Sequence, residues 1–408
     1  MKKVVILGGG FAGVACGLEL AKHNLSDAEI TLVNDHEYHV LHFALYQAAT
    51  NEEPSRNVGI PLTTIFAKKN VHVKVGKIET IDYKNNKVVL KKGEELPYDY
   101  LVLALGSETE TFNIPGAKEN SLTLKSLYDA AILRNKVKML FENACNDKEC
   151  QYPLQIVIGG GGFTGTELAG ELHKYCSQLV KQFAMPSQMG SFEVTVVQSG
   201  DQLLNGLDKD TAIKAKQRLE QLHVKVILGS HITKVDPNQI TLENGGTLPF
   251  HLLIWTVGVR GNSLLKDSGL TVDKGGRIVV NELLQIPQYP NVFACGDCAC
   301  FPMDQEGHCA PPVAPIAVDQ GKIIAENISG LLRTTNYKLR SYQYHHSGYI
   351  VPVSGKFALA RLDWIKVDGA LGFALQQWQV FKYLKSILPL SKALMRWDTF
   401  EMELAEEG

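Results

Sequence analysis

Two glycine clusters stand out by residue type and spacing. Gly8, Gly10 and Gly13 lie in "VVILGGGFAGVACGLELA", residues 4–21, and Gly160, Gly162 and Gly165 lie in "IVIGGGGFTGTELAGELH", residues 156–173. Each follows a short apolar run and precedes an alanine- and leucine-rich stretch, which predicts a strand, a tight turn and a helix. In that setting the first glycine permits the turn, the second lets the backbone approach a diphosphate, and the third lets the helix pack on the strand. Free N–H groups and the macrodipole at the helix start then favour the anion. One such motif is weak. Two in the same local context predict two dinucleotide sites in one chain, and electron transfer between their occupants.

The residue that closes the second strand of each unit governs the ribose contact. In the first unit it is Asn34, followed by Asp35; in the second it is Gln198, followed by Ser199. An acid at this position repels a 2′-phosphate, and Gln198 is neutral. The spacing therefore predicts use of NADH with NADPH tolerated. A third element, "NVFACGDCACF" at 291–301, ends a strand on Gly296 and Asp297. A carboxylate there can accept hydrogen bonds from the ribityl hydroxyls of a flavin; a plain strand-end turn is the alternative.

Positioning these motifs takes two similarly ordered halves. "KVVIL" (3–7), a helix over 11–23 and "EITLV" (29–33) form a βαβ unit, followed by strand signals at 71–82, 86–93 and 98–106. "IPG" at 114–116 marks a boundary. The second unit begins at "QIVIGGGG" (155–162), returns with "FEVTVVQSG" (192–200) and repeats the series of short strands. This is an internal duplication of architecture. "ENACNDKECQYP" (142–153) reads as a polar loop. The expected fold is α/β, with two Rossmann-like dinucleotide-binding domains, residues 1–113 with 265–335 and residues 114–264, and a small C-terminal region, 336–408.

Composition fits that reading. The chain has 408 residues, 45% hydrophobic and 21% charged, with a net charge of −2, so no nucleic-acid partner is expected. Eight cysteines in this length predict a reduced compartment and no disulfide framework. The lysines and apolar residues of the first segment superficially resemble a signal peptide, but Gly8, Gly9 and Gly10 interrupt it and the pattern recurs internally. No run of 18 apolar residues predicts a membrane span.

Residues 371–397, "LGFALQQWQVFKYLKSILPLSKALMRW", place Leu371, Leu375, Trp378, Phe381, Leu384 and Leu388 on one helical face. Lys382, Lys385, Lys392 and Arg396 follow with no intervening acid. The pattern suits a helix lying in a membrane interface, and equally one packed on the body or forming a dimer contact. Pro389 predicts a break into two helices.

With these residues in view, the chain resembles the two-dinucleotide-binding flavoproteins and, more narrowly, the type II NADH dehydrogenases, single-subunit NADH:quinone oxidoreductases. The resemblance is carried by "GGGFAGVACGLELAK", "NDHEYHVLHFALYQAAT", "YDYLVLALGSETETFNIPG", "IGGGGFTGTELAGEL", "LIWTVGVRGNSLLKDSGL", "GGRIVVNELLQIPQYPNVFACGDCA" and "PPVAPIAVDQGKIIAENI", with a looser likeness through "GYIVPVSGKFALARL". It implies FAD in the first unit, against Gly8, Gly10, Phe11, Ala12, Gly13, Asn34, Asp35, Ile78, Gly106, Gly296, Asp297, Ala314, Pro315 and Lys356. NADH in the second unit is implied against Gly160, Gly162, Gly165, Gln198 and Gly258. Glu167 matches the family's glutamate beside the nicotinamide, with a catalytic positioning or proton role; a dipole-stabilised helix glutamate is the bland reading.

The family's quinone-proximal pattern, Ala-Gln-x-Ala-x-Gln-Gln, is met by Ala314, Ala317 and Gln320, while Pro315 and Asp319 replace two of its glutamines. The resemblance thus implies a quinone near Ala317, Asp319 and Gln320. It further implies peripheral attachment at the cytoplasmic side of the cell membrane through the C-terminal helices, a homodimer, and no metal. No cysteine pair of a disulfide reductase occurs in 34–60, and the second glycine motif lacks the cysteine of a sulfide:quinone oxidoreductase. Cys295, Cys298, Cys300 and Cys309 read as small buried thiols. Cys145 and Cys150 lie in the polar connector, where a regulatory disulfide is an open alternative with no positive support; the histidines 36, 39, 42, 345 and 346 carry no metal spacing, and His42 reads equally as a flavin-site lining or as structural. A soluble NAD(P)H-dependent reductase, a sulfide:quinone oxidoreductase and a redox-sensing interaction protein remain the alternatives.

Overall fold

The computed structural model describes residues 1–408 apart from 51–57, 148–152, 186–190, 267, 305–306, 335, 346–347, 363 and 406–408, and apart from the side chains of 398–405. Apolar Lys2–Leu7 forms the buried central strand of a six-stranded sheet, in the order Gln285–Ile286, Tyr289–Ala294, Tyr100–Leu103, Lys2–Leu7, Ala28–Asn34, His72–Val75. All neighbours pair in parallel except the first hairpin. Buried parallel strands need both faces covered, and their near-continuous Val, Ile and Leu content reflects this.

The second sheet repeats the plan. Lys225–Ile227, Phe192–Val197, Leu154–Gly159 and Leu252–Trp255 lie in parallel, with Leu154–Gly159 in the place of Lys2–Leu7. Each unit also inserts a three-stranded antiparallel sheet before the strand that returns beside its central one: Ile78–Asp82, Lys87–Leu90 and Glu95–Pro97 before Tyr100–Leu103 in the first, Ile232–Val235, Gln239–Leu242 and Thr247–Pro249 before Leu252–Trp255 in the second. The duplication read from the sequence is therefore a duplication of topology. The single strand expected over 71–82 is two, because Gly76 donates its N–H to Asn34 O at 2.8 Å and turns the chain out of the sheet.

Between the units runs a two-stranded ribbon, Ser107–Thr109 against Val259–Gly261. Helix Leu127–Asn146 starts at a capping box of Ser126 and Asp129, so the first part of the connector expected as a loop over 142–153 is helical. Helix Ala314–Arg333 lies against helix Phe11–Lys22 at backbone distance. A Cβ on Gly321 would meet Ala12 O at 2.3 Å, so only glycine fits this crossing.

The C-terminal region is an antiparallel sheet, Tyr349–Pro352, Ala358–Leu362 and Ile365–Gly369, followed by helices Ala370–Ile387 and Leu390–Ala405 that part at Pro389. It is pinned to the second unit by Arg361, whose side chain is 7% exposed and pairs with Asp368 at 2.6 Å and Asp210 at 3.0 Å. Two carboxylates share the one guanidinium, so the pairing joins this sheet to the helix that begins after Asp208. The expected apolar face splits here. Leu384 and Leu388 pack inward, whereas Leu371 (69%) and Trp378 (55%) are exposed. The inward stripe runs instead through Gly372, Gln377, Val380, Leu384 and Ile387. Among the described residues no helix is long and apolar enough to cross a membrane.

Candidate functional site

The two glycine loops are built alike down to single atoms. Gly8 (φ +111°) donates to Val33 O, and Gly160 (φ +101°) donates to Val197 O, each at 2.8 Å. A Cβ on Gly13 would lie 1.9 Å from Gly8 O, and one on Gly165 1.9 Å from Gly160 O, so the third glycine is what lets each helix reach its strand. The glycine between the first two of each motif is held the same way twice: Gly9 N–H donates to Asn34 Oδ1 and Gly161 N–H to Gln198 Oε1, both at 2.8 Å.

Gly10 and Gly162 are the N-caps of their helices, with no side-chain cap, and open space faces each Cα. Each unit thus presents helix N–H groups with no side-chain cap and no side chain in front of them, which fits a diphosphate. Gln198 is buried, and its carbonyl is spent on the loop. Asp35, next to Asn34 in the first unit, is open, its side chain 55% exposed.

Further residues converge beside the first cradle. Asp297 Oδ2 accepts from Ser107 Oγ at 2.8 Å, and Lys125 Nζ donates to Ser107 Oγ at 3.0 Å. Gln320, 1% exposed, accepts the N–H of Gly296 through Oε1 at 2.8 Å, fixing the start of helix Ala314–Arg333 on that turn. Pro315 sits in its first turn, where a missing N–H costs nothing. Ala317 is buried against Gly296.

Lys125, His42 and Glu167 keep water-accessible surface, yet burial is the largest cause shifting each of their pKa values: Lys125 and His42 down, Glu167 up to about 8. Lys125 acts on His42 and both feel Asp297, which groups these three beside the first cradle, whereas Glu167 acts on Tyr46.

His39 is fully buried. Its Nδ1 meets Gly9 O at 2.9 Å and its Nε2 meets the Tyr383 hydroxyl at 2.8 Å. A carbonyl can only accept, so Nδ1 carries the proton and Tyr383 donates to Nε2, an assignment made from the partners. Burial holds the imidazole neutral, its pKa lowered to about 4. Phe11 stacks edge-on against His39 and lies 5.0 Å from the Tyr383 ring. The C-terminal helix is keyed in this way to the first glycine loop. Tyr46 stands where the units meet. Burial, then Glu167 and Glu171, raises its phenol well above the ordinary range, while the amides of Gln376 and Gln47 hydrogen-bond it.

Not every residue expected at the site comes to it. Asp319 is on the exposed face of its helix, 3.9 Å from Lys322, because Gln320 and Ala317 take the inward positions. Lys356 is exposed at a turn whose Gly355 N–H donates to Glu171 Oε1 at 2.8 Å. Ile78 is half-buried, just past the turn at Gly76. Gly106 (φ +69°) adjoins Ser107, and Gly258 accepts the Glu110 N–H at 3.0 Å beside the inter-unit ribbon. Cys295 and Cys298 are buried thiols as expected, but Cys300 and Cys309 are joined in a disulfide, Cα–Cα 5.1 Å, across nine residues. Cys150 and His346 fall outside the described residues. Lys125, Ser107, Tyr46 and Tyr383 were not singled out by the sequence reading.

The model of the pyridine nucleotide-disulphide oxidoreductase family matches residues 2–321. A type II NADH:quinone oxidoreductase of Staphylococcus aureus is 31% identical over 336 residues, 81% of this chain and 83% of that protein. The chain belongs to this family of type II NADH:quinone oxidoreductases. Among solved structures, NDH2 from Plasmodium falciparum in complex with NADH superposes with a TM-score of 0.87 at 17% identity, covering 99% of this chain and 98% of that one. The sulfide:quinone oxidoreductase of Aquifex aeolicus follows with a TM-score of 0.75 at 21% identity, covering 93% and 90%. At these identities the likenesses show a shared fold.

Proposed function

We propose that this chain oxidises NADH and reduces a membrane quinone, with FAD in the unit built on Lys2–Leu7 and NADH in the unit built on Leu154–Gly159. The observation that carries the reading is the paired cradle: two loops with the same glycine-to-carboxamide bond, each opening on an uncapped helix start. The NADH and quinone specificity is carried over from the Staphylococcus aureus relative. Bound FAD supplies the two-electron chemistry, accepting hydride and releasing electrons singly or in pairs.

The chain's own residues then have definable tasks. The cradles bind the two diphosphates and hold the dinucleotides in opposed units. Gln320 anchors the start of helix Ala314–Arg333 at the turn that carries Asp297, so the positive end of its dipole is fixed there. Glu167, protonated at neutral pH, holds a proton beside Tyr46. Reduction of a quinone takes up two protons, and a carboxyl of that pKa can both hold and give one near pH 7.

Trp364 (88%), Leu371 and Trp378 are exposed on the C-terminal region, with Lys382 and Lys385 also exposed. Tryptophans and lysines so placed suit the headgroup region of a bilayer. A sulfide-oxidising reading has weaker support. The cysteine of the second glycine helix, Cys176, is buried in its C-terminal half.

Steady-state oxidation of NADH with ubiquinone and menaquinone analogues, a dye acceptor as control and sulfide in place of NADH tests the proposal. Quinone-dependent NADH oxidation is expected. Sulfide-dependent quinone reduction without NADH oxidation would overturn it.

A further inference from the structure

Lys125 has no role in the reading above. It precedes the capping box of helix Leu127–Asn146, and its backbone N–H donates to Asp129 Oδ2 at 2.8 Å, which fixes where its side chain starts. Its ammonium runs to Ser107, and Ser107 in turn donates to Asp297. Among the described residues no carboxylate lies within 4.0 Å of the ammonium. Asp297 and Asp129 act on it at longer range. His42, the other basic group of the cluster, is held below its ordinary range by burial first and by Lys125 second, so Lys125 is the cation there. Asp297, reached through Ser107, offsets part of the cost of half-burying this ammonium and leaves its charge directed at the turn that carries Gly296.

We propose that Lys125 is a positioning residue of the flavin site: through Ser107 it orients the Asp297 carboxylate, and its charge favours the redox state of bound FAD that carries more negative charge. The inference rests on FAD occupying the first unit. FAD that takes up two electrons with fewer than two protons gains negative charge, and a fixed cation across a desolvated gap stabilises that charge with little screening. Lys125 thereby biases the balance between oxidised and reduced FAD without touching hydride or quinone.

The test uses the full-length holoprotein and reads the two-electron midpoint potential of bound FAD, with the FAD dissociation constant measured alongside. Lys125→Met is expected to weaken binding of reduced relative to oxidised FAD about tenfold, a fall of about 30 mV for a two-electron couple. Lys125→Arg restores the wild-type potential. Ser107→Ala, which breaks the relay and keeps the charge, weakens FAD binding severalfold at unchanged potential. A flavin-loaded Lys125→Met protein at the wild-type potential, or an arginine variant as low as the methionine one, overturns the proposal. A wild-type protein that takes up no FAD overturns the underlying assignment instead, so the two failures are distinct.

Discussion

Gln198 accepts the backbone N–H of Gly161 at 2.8 Å from a buried position at the end of the second unit's second strand. The same bond joins Gly9 to Asn34 in the first unit. A carboxamide in place of the usual acid therefore orders the diphosphate loop without adding a negative charge beside the ribose. NADPH is expected to be accepted within about two orders of magnitude of NADH in kcat/KM. In Gln198→Glu the carboxylate still receives the Gly161 N–H, and its charge opposes the 2′-phosphate. The NADPH-to-NADH ratio is expected to fall at least roughly tenfold, a cost of about 1.4 kcal/mol. An unchanged ratio would remove Gln198 from coenzyme selection.

Glu167 predicts a pH effect of definite sign. Its carboxyl titrates near 8 in the folded chain against an ordinary value of 4.5. Between those values the folded state holds a proton that the unfolded chain has released, so stability falls as pH rises through that window. Activity that needs the protonated carboxyl falls above pH 8. Glu167→Gln is expected to bind FAD normally, to lose the limb near pH 8 in kcat, and to flatten denaturation midpoints across the same interval. Half-reaction kinetics and denaturation midpoints matching wild type at every pH would reject the assignment.

His39 gives the opposite slope. Folded, it protonates only near pH 4; unfolded, near 6.5. Stability is therefore lost as pH falls from 6.5 to 4. Tyr383→Phe removes the donor to Nε2 and leaves a buried acceptor unsatisfied, worth about 1–3 kcal/mol. A fall in denaturant midpoint of that size is expected, with faster FAD release, because the partner of His39 is the first glycine loop. A Tyr383→Phe protein as stable as wild type would show that the helix is keyed elsewhere.

Exposed Trp364 and Trp378 are expected to drive attachment to bilayers. The double substitution to serine should cut co-sedimentation with anionic phospholipid vesicles severalfold and leave dye-linked NADH oxidation intact. Equal sedimentation of the variant and wild type would locate the contact elsewhere.

What the sequence made legible was local. Gly13 and Gly165 are dictated by collisions with Gly8 O and Gly160 O five residues earlier, so spacing alone pointed to both loops, whereas Gly8 and Gly160 also answer to the distant backbone of Ala104 and Thr256. Pro389 broke the C-terminal helix as expected because its missing N–H is a local fact. The rest depended on partners far along the chain. Tyr383 meets His39 across 344 residues, and Ser107 meets Asp297 across 190. Helical periodicity placed Leu371, Trp378, Leu384 and Leu388 on one face. It could not tell that Leu384 and Leu388 meet the body while Leu371 and Trp378 meet solvent. Buried thiols and a disulfide at Cys300 and Cys309 are likewise indistinguishable until the strand and loop are folded together.

The assignment of flavin to the first cradle and NADH to the second is tested most directly by anaerobic titration of the purified protein with NADH, following the visible flavin absorbance. Wild type is expected to be yellow and to bleach with one equivalent of NADH. Gly165→Ala, whose new Cβ would strike Gly160 O, is expected to stay yellow and resist bleaching by NADH while still reduced by dithionite. A Gly165→Ala protein that loses its flavin but, once reloaded, is reduced by NADH as fast as wild type would contradict the account.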